Sequence, residues 1–170
     1  MAEAWLVTGI PGAGKSTVAH RLAQRFGRGV YIPGDQVHDM IVSGQVEPDG
    51  ESRREAERQI GLTQRNCCQL AQSFSDAEFI PVLDWVVRQG GDLAAFLQGL
   101  SGLTVHLVVL APTLSTVARR KPLAAERWGY LERDMTRDLT GLGPWVNSSE
   151  LDVDQTVDNV LANKAEARLE

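Results

Sequence analysis

Cysteine is scarce in this chain, and its two residues, Cys67 and Cys68, are neighbours inside a helical pattern. Adjacent cysteines rarely reach disulfide geometry, and two thiols make no metal cage. Both therefore read as small core residues of a chain kept in a reducing, cytoplasmic setting. Positive charge is also short: 17 lysines and arginines stand against 22 acids, a net charge of −5. A polynucleotide partner usually announces itself by a basic surplus or stripe, so nucleic acid is disfavoured. No apolar run approaches the length of a membrane span, and the N-terminus lacks the basic segment and apolar core of a signal peptide. Repeats, low-complexity tracts and linkers are missing as well. What remains is a chain of 170 residues with an ordinary apolar content of 43%, expected to form one domain over residues 1–170.

What the chain does have is a glycine loop. Gly9-Ile10-Pro11-Gly12-Ala13-Gly14-Lys15-Ser16 fits the pattern G-x-x-x-x-G-K-[ST], with Thr17 directly after it. The apolar run Ala4 to Thr8 precedes it as a buried strand. Val18, Leu22 and Phe26 follow at helical spacing, with Gly27 as the stop. Strand, loop and helix thus come in the order a phosphate-binding loop requires. Gly9, Gly12 and Gly14 let the backbone approach a ligand closely, and the loop N–H groups converge with the helix N-terminus on an anion. Lys15 adds a point charge for the β and γ phosphates, and Ser16 offers a hydroxyl to Mg²⁺. Gly9 and the stretch from Pro11 through Gly12, Ala13, Gly14, Lys15 and Ser16 to Thr17 are the expected nucleotide contacts, with ATP and Mg²⁺ as ligands. The dinucleotide fingerprint G-x-G-x-x-G does not fit these glycines.

Further strands are expected over 29–32, 78–83, 104–111 and 144–147, with helices between them. The longest helix opens on the capping-box pattern Ser52-Arg53-Arg54-Glu55 and runs to about Ala77. Asp154 is expected to cap a last helix, and the tail from Lys164 reads as frayed or helical. Strands alternating with helices imply α/β architecture, a parallel sheet covered on both faces.

In such a sheet ligands sit at the carboxyl ends of the strands, which selects Asp35 and Asp84. Asp84 is the expected Mg²⁺ ligand beside Ser16; the competing role is a turn or capping aspartate. Asp35 is expected to face the acceptor hydroxyl, as base or as orienting group; the competing role is N-cap of a helix from Gln36. His38 reads as a surface residue. Arg119, Arg120, Lys121 and Arg127 cluster around Pro122 and Gly129, and suit a mobile lid over residues 121–130 that neutralises phosphate charge. Arg120 and Arg127 are the candidates for catalysis and Arg119 for nucleotide binding; a solvated basic face is the competing reading. Along the long helix, Arg65 and Asn66 are expected to lie nearest the substrate.

On these residues the chain resembles small P-loop phosphotransferases, closest to chloramphenicol phosphotransferase-like proteins, with shikimate and gluconate kinases further off. The resemblance covers Gly9 to Thr17, Gly34-Asp35, the strand ending in Asp84, Leu110 to Leu114 leading to the basic lid, and Val146 to Ser149 with Asp154 to Val157. It implies a three-layer P-loop fold with a five-stranded parallel sheet in order 2-3-1-4-5. It also implies ATP as donor, Asp35 at the acceptor hydroxyl and lid arginines near the phosphates. Where such proteins often carry a second acid, Trp85 follows Asp84, which points to an acceptor with an apolar or aromatic part. The expected activity is transfer of the γ-phosphate of ATP to a hydroxyl of a small molecule, an antibiotic-like compound or a metabolite alcohol. The alternatives are a nucleoside or nucleotide kinase and a nucleotide-dependent regulatory ATPase.

Overall fold

A computed structural model describes residues 2–46 and 52–169. Five strands form one sheet: β1 (Glu3–Thr8), β2 (Gly29–Pro33), β3 (Ile80–Asp84), β4 (Thr104–Leu110) and β5 (Trp145–Val146). Their order is β2-β3-β1-β4-β5 and every pairing is parallel, as the resemblance implies. The central strand β1 is buried from Ala4 to Thr8, because neighbours and helices cover it on both sides. Trp5, Leu6, Leu83 and Leu107 are fully buried there. Each such side chain contributes roughly 1.5–3 kcal/mol relative to exposure.

The helices are α1 (Lys15–Ala23), α2 (Gly34–His38), α3 (Arg53–Asp76), α4 (Gly90–Gly99), α5 (Leu114–Arg120), α6 (Pro122–Trp128), α7 (Tyr130–Leu139), α8 (Val153–Ala162) and α9 (Lys164–Ala167). Helix α1 packs against β3 and α8, and α3 against β3 and α4, which builds the two helical layers. Cys67 and Cys68 are buried in α3 and unbridged. Burial pushes their thiols up to about 12 and about 11, so both are inert core residues.

Two local expectations change. The capping box at Ser52 does not form, because the Glu55 carboxylate is taken by Arg58 at 2.8 Å and by Gln59 at 2.9 Å. Asp152, not Asp154, caps α8, in a reciprocal pair with Gln155. Asp154 instead binds Arg21 at 2.7 Å and Arg25 at 3.0 Å on α1, tying α8 to the helix that follows the glycine loop. The tail is helical, one of the two expected forms, and it is docked: Lys164 meets Glu3 at 2.7 Å, and the Leu169 N–H donates to the Val105 carbonyl. Residues 43–50, with two glycines and a proline, are expected from the sequence to form a surface loop, which lies partly outside the described residues. Among the described residues no helix is long and apolar enough to cross a membrane.

Candidate active site

The loop between β1 and α1 has the conformation its glycines allow. Gly12 and Gly14 have φ of 88° and 97°, in the left-handed region, and Gly14 is the residue on which α1 begins. At Gly9 (φ 149°) a Cβ would lie 2.5 Å from the Leu110 carbonyl oxygen, so the loop closes against β4 only with glycine there. Lys15 opens α1, half-buried, its Nζ 3.4 Å from the Ile10 carbonyl. Burial lowers its pKa, and the carboxylates of Asp84 and Asp35 oppose that shift. Both acids therefore lie within electrostatic reach of the loop lysine.

Asp84 is buried at the end of β3, in register with Val7 of β1 and Pro33 of β2. Sheet register thus places it one strand away from the loop. Between Asp84 and Ser16 stands Tyr31 of β2, which sequence reasoning missed. Its hydroxyl donates to Asp84 Oδ2 at 3.1 Å and lies beside the Ser16 hydroxyl. Burial and the Asp84 charge push the Tyr31 phenol up to about 12, so it stays a proton donor at any physiological pH. Finding it needs the β2–β3 register, in which Tyr31 faces Val82, two residues before Asp84.

Asp35 lies in the first turn of α2, whose N-cap is Pro33, so it is not the cap of that helix. Its exposed side chain lines a cleft of about 670 Å³ that runs from Pro11 of the loop toward α3 and α6. Trp85, Trp128 and Tyr130 form its aromatic walls. His38 also lines it, half-buried and 2.9 Å from Thr63 Oγ1, and is not the surface residue expected. Arg53 and Arg88 line the cleft, whereas Arg65 and Asn66 do not and are exposed. The reason is direction. Helix α3 runs back from the sheet's carboxyl edge, so its first turns face the site and its later turns leave it.

On the other flank Arg120 reaches the loop, its guanidinium 3.4 Å from the Ala13 carbonyl oxygen and 3.3 Å from that of Ser148. Lys121 sits close enough to Lys15 to repel it. Arg119 donates to Thr116 Oγ1 at 3.1 Å on its own helix. Residues 122–128 of the expected mobile lid form helix α6; the Arg127 side chain lies outside what the structure describes. Three cations, Lys15, Arg120 and Lys121, therefore surround the loop. Oxygen donors from Ser16 and Asp84 lie on its other side. Hydroxyl and carboxylate donors suit Mg²⁺, which keeps most of its shell for water and phosphate. Among the described residues no group of three or more His, Cys, Asp or Glu forms a fuller cage.

Comparison with known proteins agrees with this architecture. The family described as AAA domain matches residues 5–127. No curated protein matches the chain. An unliganded sugar kinase from Janibacter sp. is similar, with a TM-score of 0.69 at 16% identity over 98% of this chain and 96% of that one. The APS kinase of Mycobacterium tuberculosis, solved with AMPPNP and APS, has a TM-score of 0.68 at 17% identity, covering 95% and 96%. The tunicamycin resistance protein of Deinococcus radiodurans has a TM-score of 0.67 at 16% identity, covering 95% of both chains.

Proposed function

The chain belongs to this AAA-domain family of P-loop proteins, and on that premise we propose that it is a phosphotransferase that moves the γ-phosphoryl group of ATP onto a hydroxyl of a small molecule. One observation carries the reading: Pro11 of the phosphate loop and Asp35 line the same cleft, so donor and acceptor sites share one space. Such transfer needs positioning and charge stabilisation more than covalent chemistry. The loop N–H groups and Lys15 hold the phosphates. Arg120 and Lys121 place further positive charge where the transferred group passes. Asp35 directs the acceptor oxygen and takes its proton as the new O–P bond forms and ADP leaves. Mg²⁺, when bound, screens the phosphate charge, and Ser16 with Asp84 would hold it. A screen of ADP release across sugars, nucleosides, antibiotics and hydroxy acids tests the proposal; release that depends on one class of alcohol supports it, and release indifferent to every acceptor rejects it.

Two expectations follow for the flanks of the site. Asp84→Asn should raise the Mg²⁺ concentration needed for the ATP-induced rise in melting temperature, while metal-free ATP binding changes little. Tyr31→Phe should move the same midpoint by roughly tenfold, as losing a group that orients a metal ligand does. Midpoints equal to that of the unaltered protein would remove both residues from the metal site. The second expectation concerns residues 121–130. ATP with Mg²⁺ should slow their amide hydrogen exchange, because phosphate charge draws Lys121 and the helix α6 that follows it onto the loop. Exchange that is equally slow with and without ATP contradicts a lid there.

A further inference from the structure

We infer that the acceptor is an uncharged alcohol that carries a flat ring. The inference rests on the phosphotransfer reading and concerns the part of the cleft beyond Asp35. Its aromatic walls are built for a ring. Trp85 is fixed edge-on against Phe96, with centroids 5.6 Å apart at 72°. It is seated on Gly34, where any Cβ would run into the indole and lie 2.7 Å from the Asp84 carbonyl oxygen. Glycine at that position therefore admits an indole directly beside Asp35. Trp128 and Tyr130, 6.3 Å apart, line the same cleft. Planar walls of this kind take up rings by offset or edge-on stacking.

Three of the four acids and arginines that line the cleft stand in ion pairs; the fourth is Asp35. Arg88 grips Asp92 through two bonds of 2.9 and 3.2 Å, and its backbone N–H also donates to that carboxylate. Arg53 meets Glu57 at 3.0 Å, and Glu57 itself lines the cleft beside Asp35. A carboxylate or phosphate on the acceptor would face the carboxylates of Asp35 and Glu57, with Arg88 already engaged by Asp92. A cation would face two guanidinium groups. Mismatched charges of this kind exclude ligands more strongly than matched ones attract them. His38 on the cleft wall suits a hydroxyl. Thr63 Oγ1 donates to the Gln59 carbonyl and so accepts from His38 Nδ1–H, and in that tautomer Nε2 is the ring's acceptor. At about 670 Å³ the cleft has room for a molecule of several rings.

Calorimetric binding of matched pairs tests the inference: phenyl β-D-glucoside against phenyl β-D-glucuronide, and uridine against uridine monophosphate, each with the unaltered protein and saturating non-hydrolysable ATP analogue. The neutral member of at least one pair should bind tenfold or more tightly than its anionic counterpart. Trp85→Ala should weaken that binding at least tenfold, and Trp85→Phe should restore most of it. Asp92→Asn, which frees Arg88, should narrow the gap between neutral and anionic members. Anionic members bound as tightly, no binding in either pair, or binding indifferent to Trp85→Ala in a folded protein would overturn the inference. Binding is read without transfer. Neutral members that bind but release no ADP from ATP would therefore count against phosphotransfer while leaving the ligand class of the cleft standing.

Discussion

Lys15→Ala is expected to abolish the response of this protein to ATP while leaving its fold intact. With ATP at a hundredfold excess over Kd, binding should stabilise the folded chain by about 2.7 kcal/mol. For a domain of this size that is a rise in melting temperature of roughly 5–10 °C. The alanine variant should show almost none of it. The unliganded variant should be no less stable than the parent. Lys15 is half-buried with its pKa lowered by that burial, so at neutral pH its charge costs folding free energy rather than adding to it. The sign follows from proton counting: the unfolded chain holds the lysine proton more tightly, so this cost is full below the lowered pKa and fades as pH rises toward the ordinary value. Bound phosphates reverse the balance by giving the charge a partner. A variant that melts early without ligand, or one that keeps the full ATP shift, would remove Lys15 from the phosphate site. Thermal melts with and without ATP and Mg²⁺ read both quantities.

Asp35→Asn should separate chemistry from binding. The substitution keeps the size of the side chain and removes the base. It should lower kcat by about two orders of magnitude or more, the range for losing a general base, with the ATP-induced melting shift unchanged. Stability should fall by less than about 1 kcal/mol, the usual worth of an acid in the first turn of a helix. Pro33 is the N-cap of α2, so loss of a cap does not enter. Steady-state kinetics with the true acceptor decide the matter. A fully active variant would leave Asp35 with no part in transfer.

The fold and the phosphate loop were legible because their signals are local. Gly9 to Ser16 carries its own conformational demands, and the branched apolar run at β4 declares a strand by itself. The rest depends on register and direction, which no window of sequence holds. Tyr31 joins the site only because β2 pairs with β3 so that it stands opposite Val82, two residues before Asp84. Arg53 enters the cleft and Arg65 leaves it because α3 runs antiparallel to the strands it follows, and sequence spacing treats the two alike. Asp152 and Asp154 are equally good caps on paper. The choice is made by Arg21 and Arg25, more than a hundred residues away, which claim Asp154 for an ion pair. Arg88 was invisible because its position follows from the turn after β3, where Val87 N–H is held by Thr8 Oγ1.

The most direct measurement uses ATP labelled in its γ-phosphoryl group, incubated with the protein, Mg²⁺ and a set of uncharged ring-bearing alcohols. The label should appear in a phosphate ester of one acceptor, in step with ADP, and Asp35→Asn should suppress the ester without suppressing ATP binding. Label that stays in ATP, or appears only as inorganic phosphate whatever alcohol is offered, would contradict the account.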